Sequence, residues 1–526
     1  MSEINGNILI GATEERGQAT FQGRNPATGE SLPGAFAEAG VEHASAACAL
    51  AAEAFPVFST LSPADRAAFL ESVAEHILGI GDALIIRAME ESGLPRARLE
   101  GERGRTVGQL RLFASVLRQG DWLEATIDPA MPDRAPLPRP DIRRVNQPVG
   151  PVVVFGASNF PLAFSVAGGD TASAFAAGCP VVVKGHPAHP GTGELVARAI
   201  QAAVAASGLP AGTFSYLPGT TQALGAALVA DPRVKAVGFT GSRAGGLALV
   251  EIARNRPEPI PVYAEMSSIN PVLLLPTAAA KRGADLGAAF IQSLTMGAGQ
   301  FCTNPGLVVA LEGADTEAFI AAAAQSLTSA PAQVMLSEGI WRNYCSGIDL
   351  LAGNERVTLV ARGQAGEEAN RGQAALFRTD ADAFLADPTL SHEVFGSSSL
   401  VIVCRDVAEV KRVLAGLEGQ LTSTLLMDPE DQALAGELLP LLTEKSGRVL
   451  ANGWPTGVEV CHAMVHGGPF PATSDVRTTS VGTLAMVRFL RPVCYQNIPD
   501  ALLPPALQAA NPWGLTRRVN GTLTPA

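Results

Sequence analysis

The sequence predicts an α/β protein with two Rossmann-type domains, each built on a parallel sheet, and three observations lead to this prediction. The chain has 526 residues, more than a single hydrophobic core usually holds. It is 47% hydrophobic and only 17% charged, a composition that excludes wholesale disorder. From Gly150 onward, short β-branched runs alternate with alanine-rich stretches, and a second alternating block extends from about residue 265 to residue 460. Strict alternation of strand and helix is typical of parallel sheets covered by helices.

The helices that precede this block are predicted from their caps and apolar spacing. Ser62 is an N-cap residue, Pro63 follows at the first helical position and Asp65 at the third, so we expect a helix from about Pro63 to Leu78. Further helices are expected after Asp82 and over residues 100–120. Residues 128–148 are rich in Pro and Asp, which favours an extended excursion or an edge hairpin. We predict that this segment lies between domains or between subunits.

Two segments of the first alternating block are candidate cofactor sites. Gly238–Gly246 joins a predicted strand to a predicted helix whose free N–H groups could bind a phosphate, although such glycine-rich turns also serve only as tight corners. Its spacing is not the G-x-G-x-x-G fingerprint. Lys184 ends another strand and could bond ribose hydroxyls or a 2′-phosphate, or simply be an exposed charge. No acid follows it where an NAD enzyme usually places one, which permits a 2′-phosphate.

Cys302 differs from the other cysteines in its surroundings. It follows a glycine-rich bend in Gly299–Asn304 and is flanked by polar residues, a loop setting that suits a reachable, deprotonable thiol. Cys179 and Cys404 lie in apolar strands and are typical inert core residues. The seven cysteines are scattered without a C-x-x-C pair, so we expect reduced thiols. Neither H-E-x-x-H nor a Cys/His cluster with zinc spacing occurs, so we expect no metal.

Charge and hydropathy limit the classes of partner. Lys and Arg total 38 against 50 Asp and Glu, a net charge of −12 that provides no basic footprint for nucleic acid or an anionic membrane. Apolar stretches are interrupted well before the roughly 20 residues that a bilayer span requires. The N-terminus lacks a basic start followed by an apolar region, so we expect a cytoplasmic protein. Small molecules and other subunits are the expected partners.

Taken together, these segments resemble the aldehyde dehydrogenase superfamily, in order along roughly residues 24–490. No single motif is specific, but their combination in this order is. The matching segments are Arg24–Glu30 (Arg-Asn-Pro-Ala-Thr-Gly-Glu), the oxyanion-asparagine loop Gly156–Pro161, the cofactor elements Lys184 and Gly238–Ser242, the general-base motif Ala264–Ser268, the nucleophile motif Gly299–Cys302 and the nicotinamide-ribose motif His392–Gly396.

The resemblance implies an aldehyde dehydrogenase-like fold with a small oligomerisation element. We expect a nucleotide-binding domain of residues 1–127 and 149–264 and a catalytic domain of residues 265–460. Residues 128–148 and 461–526 would bridge subunits and form a C-terminal tail. Members of the family assemble by exchanging an edge strand, so a homodimer or homotetramer is expected.

The resemblance also implies a mechanism. Cys302 would attack the aldehyde carbon, the Asn159 side chain and the Cys302 backbone N–H would bind the oxyanion, and Glu265 would deprotonate the water that hydrolyses the thioester. The residues expected to bind the cofactor are Lys184, Phe239, Gly241 and Ser242, with Glu393 and Phe395 positioning the nicotinamide ribose and ring.

Where the sequence departs from the family pattern, its residues resemble those of a divergent branch of the family. Members of that branch act on 2,5-dioxopentanoate or, with NADP, on fatty aldehydes. Met266-Ser267-Ser268-Ile269 replaces the usual Leu-Gly-Gly-Lys, Ser158 and Ser397 replace an aromatic residue and a proline, and Gly467–Pro471 only approximates the family's Pro-Phe-Gly-Gly loop. The branch implies oxidation of 2,5-dioxopentanoate to 2-oxoglutarate with NAD(P), with NADP preferred because no acid follows Lys184.

Three alternatives to this function remain open. They are a dehydrogenase of a fatty or aromatic aldehyde, a CoA-acylating member of the fold, and a catalytically inactive binding protein. Retention of Asn159, Glu265, Cys302 and Glu393 argues against the last two. A carboxylate-bearing substrate would need a cation near the aldehyde, and Arg105 is our candidate for it.

Overall fold

The computed structural model describes residues 4–525. Its strands form two seven-stranded sheets, one five-stranded sheet and two short pairs. The helices are α1 (Val41–Phe58), α2 (Pro63–Gly79), α3 (Asp82–Ser92), α4 (Arg96–Gln119), α5 (Gly169–Ala177), α6 (Pro190–Ala206), α7 (Gln222–Ala230), α8 (Arg243–Arg254), α9 (Pro276–Thr295), α10 (Ala314–Thr328), α11 (Glu338–Ala352), α12 (Ala381–Ala386), α13 (Val407–Gly416) and α14 (Gln432–Lys445).

The strands are numbered along the chain in the same way. They are β1 (Ile8–Ile10), β2 (Thr13–Glu15), β3 (Thr20–Phe21), β4 (Phe36–Ala37), β5 (Thr126–Asp128), β6 (Ile142–Pro148), β7 (Val152–Phe155), β8 (Val181–Lys184), β9 (Phe214–Leu217), β10 (Ala236–Thr240), β11 (Val262–Glu265), β12 (Pro271–Leu274), β13 (Leu307–Leu311), β14 (Gln333–Val334), β15 (Thr358–Arg362), β16 (Arg371–Gly372), β17 (Ala375–Asp380), β18 (Ser398–Cys404), β19 (Gln420–Leu426), β20 (Ser446–Ala451), β21 (Leu490–Gln496), β22 (Arg517–Val519) and β23 (Thr522–Thr524).

The first sheet has the order β11-β10-β7-β8-β9-β1-β2. Its five strands from β7 to β11 run parallel, and β1 joins β9 antiparallel. Successive valines of β7 point into different cores: Val152 and Val154 pack in one hydrophobic cluster, and Val153 packs in another. Because both faces are covered by helices, these strands are continuously apolar rather than alternating. The predicted parallel sheet after Gly150 is confirmed.

The second sheet has the order β15-β17-β18-β13-β12-β19-β20, parallel except for the edge strand β15. It too is buried on both faces, with Leu273 and Val272 of β12 packing in separate clusters. The α/β class with two parallel sheets is therefore confirmed. The exact domain limits given above stay a prediction.

A five-stranded sheet of order β21-β6-β5-β22-β23 joins the Pro-rich segment to the C-terminal tail. Strands β5 and β6 pair antiparallel, so residues 128–148 form a hairpin, but both strands lie inside the five-stranded sheet and not at its edge. Strand β21 pairs antiparallel along the whole of β6. Residues 489–526 show no periodicity that could be assigned from the sequence, because their strands are short and separated by Pro-rich turns.

The helix predictions before the first sheet are confirmed with small shifts of boundary. Ser62 caps α2 by accepting the Asp65 N–H at 3.1 Å. Helix α4 begins at Arg96 rather than at residue 100, because Pro95 supplies an extended N-cap. Its last residue is Gln119, and the C-cap Gly120 has a left-handed φ of 78°. No helix within residues 4–525 is long and apolar enough to cross a bilayer.

A buried carboxylate fixes the start of α6, directly after the strand that carries Lys184. Glu91 of α3 accepts the backbone N–H groups of Gly191 and Thr192, each at 2.8 Å. Its side chain is 0% exposed and forms an ion pair with Arg87 at 2.8 Å. Anions are favoured at helix N-termini, so Glu91 ties α3 to the ligand-binding edge of the first sheet.

We predict that Glu91→Ala lowers the free energy of unfolding by about 3–5 kcal/mol, because it leaves the Arg87 charge and two helix N–H groups buried without a partner. Glu71→Ala is the matched control: it breaks an ion pair with Arg118 in which both side chains are more than 40% exposed, and it should cost at most about 1 kcal/mol. Urea unfolding measures both, and similar losses for the two variants would contradict the assignment.

Candidate active site

The parallel strands of the first sheet bring three predicted residues to one edge. Lys184 ends β8, Phe239 lies near the end of β10 and Glu265 ends β11. Gly241 and Ser242 follow β10 and open α8, where the Ser242 hydroxyl accepts the Gly245 N–H at 3.2 Å. The carboxyl edge of such a sheet is where ligands bind. The strand-to-helix turn therefore has the geometry of a phosphate site, at the start of a twelve-residue helix.

The charge of a carboxylate that the sequence did not indicate, Glu38, acts on Lys184. Burial lowers the pKa of Lys184 to about 8, and the charge of Glu38 acts in the opposite direction. Glu38 is held at this edge because its carboxylate accepts the Thr220 N–H at 2.8 Å and the Thr220 hydroxyl at 2.5 Å. It comes from the N-terminal segment, far from Lys184 in the sequence, so no local motif could have revealed it.

The nucleophile loop is bent by three consecutive left-handed residues. Gly297, Ala298 and Gly299 have φ values of 56°, 58° and 68°, and at Ala298 this conformation is unfavourable. A side chain at Gly299 is excluded, because its Cβ would overlap the backbone of Gly396. Asn304 adds a hydrogen bond from Nδ2 to Gly396 O at 3.0 Å. The loop that carries Cys302 and the loop that carries Glu393 and Phe395 therefore pack as one unit.

Cys302 and Glu265 meet at a histidine that the sequence analysis missed. Nε2 of His466 lies 3.2 Å from Cys302 Sγ and 2.9 Å from Glu265 Oε1. His466 is fully buried. One carboxylate oxygen of Glu265, Sγ of Cys302 and one ring nitrogen of His466 all lie within 4.8 Å of one another. The other carboxylate oxygen of Glu265 accepts the Ser480 hydroxyl at 2.5 Å. When the ring proton is on Nδ1, Nε2 can receive the proton that leaves the thiol and then donate it to the carboxylate.

The charges of this triad shift two pKa values in opposite directions. Burial, followed by the charge and hydrogen bond of Glu265, raises the pKa of the Cys302 thiol well above its usual value, while Arg105 opposes that rise. Burial alone would also raise the pKa of Glu265, but the charge and hydrogen bond of His466, with bonds from Ser480 and Cys302, lower it. Glu265 is therefore the preferred anion of the resting site, and Cys302 needs an acceptor for its proton.

Asn159 lies beside the nucleophile loop, as predicted, and is fixed from α4. Its Nδ2 donates to Gln300 O at 3.1 Å, and the second N–H of the amide has no acceptor among residues 4–525. Arg98 donates from Nη2 to Asn159 O at 2.9 Å while its guanidinium stacks between the rings of Phe160 and Phe301 at 4.6 and 4.5 Å. The Asn159 amide is thereby held in a defined position next to the thiol loop.

Glu393 and Phe395 lie together around a small cavity that Phe301 and Asn304 also line. Burial of the Glu393 carboxyl raises its pKa to about 8, and its only hydrogen bond within the described chain is a long one, 3.4 Å from the Ser268 N–H. A carboxyl group with so few partners fits ribose hydroxyls.

Arg105 points to the same site from α4. Its guanidinium lies 5.4 Å from the ring centre of Phe164, which in turn is 6.2 Å from the ring of His466. Burial lowers the pKa of Arg105, and the charges of Cys302, Glu102 and Glu265 raise it. The charge of Arg105 therefore acts on the thiol, and its role toward the substrate stays a prediction.

Sequence reasoning missed His466, Ser480 and Arg98. His466 directly precedes Gly467-Gly468, the segment that approximates a family loop, and a histidine beside that motif was the available signal. Ser480 and Arg98 had no such signal, because a serine or an arginine is assigned to a site only once the fold brings it there.

Comparisons with known proteins agree with this geometry. Residues 13–340 match the family model described as the aldehyde dehydrogenase family. The chain is 58% identical over 524 residues to alpha-ketoglutaric semialdehyde dehydrogenase 2 of Azospirillum brasilense, covering 99% of each chain. It is 48% identical over 526 residues to alpha-ketoglutaric semialdehyde dehydrogenase of Acinetobacter baylyi, covering 100% of both.

Solved structures share the fold at lower identity. A mutant of aldehyde dehydrogenase C from Pseudomonas syringae, in complex with NAD⁺ and octanal, superimposes with a TM-score of 0.80 and 19% identity. The alignment covers 94% of this chain and 96% of that one.

We predict that His466→Asn slows alkylation of Cys302 by iodoacetamide at pH 7 by about tenfold or more, because the thiolate is the nucleophile and Nε2 is its proton acceptor. In the unmodified protein the rate should rise from neutral to alkaline pH, because the pKa of Cys302 is raised. Mass spectrometry of the labelled peptides measures the rate, with exposed Cys494 as the internal control. An unchanged rate at Cys302 would contradict the role of His466.

Proposed function

The chain belongs to the aldehyde dehydrogenase family, and we propose that it oxidises 2,5-dioxopentanoate (alpha-ketoglutaric semialdehyde) to 2-oxoglutarate with NAD(P) as hydride acceptor. The observation that carries the proposal is the similarity over full length to two enzymes named for this aldehyde, at 58% and 48% identity. The arrangement of Cys302, Glu265 and Asn159 supports the same chemistry. The similar structure with NAD⁺ supports a nicotinamide cofactor.

In the proposed first step, Cys302 Sγ forms a bond to the aldehyde carbon as its proton passes to Nε2 of His466, 3.2 Å away. The carbonyl electron pair moves to oxygen, and the oxyanion accepts hydrogen bonds from the free N–H of the Asn159 amide and from the Cys302 backbone N–H. The charge that forms on His466 lies 2.9 Å from the Glu265 carboxylate, which stabilises it.

Glu393, Phe395, Lys184 and the start of α8 would hold the dinucleotide. When bound, it supplies a hydride acceptor for the tetrahedral carbon. Glu393 fits this task because its carboxyl group has only a 3.4 Å bond from the Ser268 N–H and is free to accept ribose hydroxyls. Loss of hydride leaves a thioester on Cys302.

Glu265 is positioned for hydrolysis of that thioester. Its carboxylate takes a proton from water, the water oxygen bonds to the acyl carbon, and the C–S bond breaks to return the thiolate. Because Glu265 contacts both Ser480 and His466, the proton gained can be passed on within the triad. The same carboxylate therefore serves both halves of the reaction.

We also propose that Arg105 binds the carboxylate of the substrate. Its Nε and Nη2 atoms are buried, and no residue of the described chain accepts their hydrogen bonds. A carboxylate would satisfy both N–H groups at once. A fatty or aromatic aldehyde would leave them unpaired, which costs free energy.

Assembly and location follow from the family likeness. We propose a homodimer or homotetramer in the cytoplasm. Strand β21 supports assembly, because it is the edge of the five-stranded sheet and has one side free for pairing.

For the cofactor we propose a preference for NADP, since Gly185-His186-Pro187 rather than an acid follows Lys184 and leaves room for a 2′-phosphate. Lys184, with its pKa of about 8, is protonated at neutral pH and loses its charge as the pH rises. We predict that the Kd for NADP increases about tenfold between pH 7 and pH 9, while that for NAD changes little. Lys184→Met should remove this difference.

Quenching of protein fluorescence measures both constants without turnover. A tighter Kd for NAD at pH 7 would overturn the preference and would point to Glu38, 2.8 Å from the Thr220 N–H, as the acid that binds the adenosine 2′-hydroxyl.

We predict that 2,5-dioxopentanoate gives the highest kcat/KM when absorbance at 340 nm follows its oxidation beside glutarate semialdehyde, succinate semialdehyde, decanal and benzaldehyde. Cys302→Ala should be inactive. Glu265→Gln should give one equivalent of reduced nicotinamide and then turn over about 10²–10⁴-fold more slowly, because the thioester is not hydrolysed. A higher kcat/KM for decanal or benzaldehyde would show that the proposed substrate is wrong. Activity that requires CoA, or no activity with any aldehyde, would show that the proposed function is wrong.

A further inference from the structure

Asn159 and Cys302, which supply the two proposed oxyanion donors, each lie next to a phenylalanine. Phe160 follows Asn159 and Phe301 precedes Cys302 in the sequence. The two rings pack edge to face, with their centres 5.4 Å apart. Because the Cys302 N–H belongs to the peptide bond that joins it to Phe301, the position of the Phe301 ring bears directly on that donor. The aromatic pair therefore links two donors that are far apart along the chain.

Arg98 of α4 lies over both rings of this pair. Its guanidinium carbon is 4.6 Å from the ring centre of Phe160 and 4.5 Å from that of Phe301. Its Nη2 donates to the backbone carbonyl oxygen of Asn159 at 2.9 Å. The contacts form a closed circuit, because Nδ2 of Asn159 donates to Gln300 O, the carbonyl directly before Phe301, at 3.1 Å. One planar cation, attracted to both rings, thus holds the loops of the two donors together.

The thiol loop leaves room for this guanidinium at Gly297. A Cβ at Gly297 would lie 2.7 Å from Nη1 of Arg98 and 3.0 Å from the ring of Phe301. Any larger residue at this position would therefore displace the guanidinium or the ring. The glycine bend before Cys302 is shaped to fit Arg98 as well as to turn the chain.

Glu102, one helical turn after Arg98, anchors the next part of the asparagine loop. Its Oε1 accepts the N–H groups of Leu162 and Ala163 at 2.8 and 2.9 Å. This anchor does not depend on the guanidinium. Replacement of Arg98 should therefore loosen Asn159 without unfolding the loop that carries it.

We propose that Arg98 is a positioning residue that aligns the two oxyanion donors, the Asn159 amide and the Cys302 N–H, with each other. The inference rests on the proposed function, because it requires that both groups bind the oxyanion of the reacting aldehyde. Such donors act where charge develops in the transition state. Misalignment should therefore slow each step that forms a tetrahedral oxyanion and leave the proton transfer from Cys302 to His466 intact.

Two reagents distinguish alignment of the donors from general support of the thiol loop. The ester 4-nitrophenyl acetate needs no nucleotide: Sγ of Cys302 bonds to the acetyl carbon through a tetrahedral oxyanion, and 4-nitrophenolate leaves. Iodoacetamide alkylates the same sulfur by displacing iodide and forms no oxyanion. Release of 4-nitrophenolate in the first turnover, with Cys302→Ala as the blank, measures acylation, and mass spectrometry of the labelled peptides measures alkylation.

We expect Arg98→Met to slow acylation of Cys302 about tenfold or more, because loss of a single oxyanion donor costs about 10²–10³-fold. The rate of alkylation should stay the same. Arg98→Lys should also be slow in acylation, since a lysine keeps the charge but cannot lie flat over two rings. In an Asn159→Ala background, Arg98→Met should lose most of its effect, because one of the groups that it aligns is already gone.

Arg66 provides a matched control. It is a buried arginine whose guanidinium carbon lies 5.7 Å from the ring centre of Trp122, and its Nη2 donates to a backbone carbonyl, Ser59 O, at 3.0 Å. Neither partner is one of the site residues named above. Arg66→Met should therefore change neither rate, and circular dichroism checks that each variant is folded.

The outcomes separate this inference from the proposed function. If Arg98→Met slows alkylation as much as acylation, Arg98 supports the thiol loop as a whole and the proposed alignment is wrong. Unchanged acylation in Arg98→Lys also overturns it, because any effect would then belong to the charge. If Asn159→Ala does not slow acylation, or if the unmodified protein is not acylated at Cys302, the proposed mechanism itself fails. Slow acylation in Asn159→Ala with a normal rate in Arg98→Met refutes the role of Arg98 and leaves the function intact.

Discussion

The active site depends on one electrostatic constraint: a thiolate and a carboxylate cannot both be charged within about 5 Å of each other in a buried site unless a cation lies between them. His466 Nε2 is the atom placed there, 3.2 Å from Cys302 Sγ and 2.9 Å from Glu265 Oε1. Burial and the charge of Glu265 raise the thiol pKa and favour the thiol form of Cys302 at rest, so the reaction needs an acceptor for its proton, and Nε2 is within reach. Cys302 and Glu265 are therefore coupled through a single imidazole nitrogen, and a proton released by one is available to the other.

Meeting this constraint requires three distant parts of the chain. Glu265 ends a strand of the first sheet, Cys302 follows the left-handed turn at residues 297–299, and His466 precedes two glycines near the edge of the second sheet. Segment 472–474 fixes the base, with Ala472 O accepting the Met266 N–H at 2.8 Å and Ala264 O accepting the Ser474 N–H at 2.9 Å. Of the two serines that replace family glycines after Met266, Ser268 donates its hydroxyl to Gln420 Oε1 at 3.0 Å.

The sequence predicted the parts of this protein that are encoded locally. The parallel sheets follow from short β-branched runs, α2 from the cap at Ser62, and Cys302 and Glu265 from motifs in a fixed order. It did not predict His466 or Glu38, because their environment comes from residues far away along the chain. It also missed the strands of the tail: β22 has three residues and takes its place in the sheet from pairing with β5. The charge of Glu38 likewise acts on Lys184 only in the folded chain.

The close packing of Gly299 on Gly396 has a thermodynamic consequence. Because the thiol loop and the loop of Glu393 share backbone contacts, a ligand that shifts one loop also shifts the other. Coupling between two sites is reciprocal. The amount by which bound nucleotide changes the free energy of modifying Cys302 therefore equals the amount by which modification of Cys302 changes the free energy of nucleotide binding. An electrophilic inhibitor of this thiol would thus discriminate between the nucleotide-free and nucleotide-bound forms of the enzyme, and its potency would vary with the cellular nicotinamide pool.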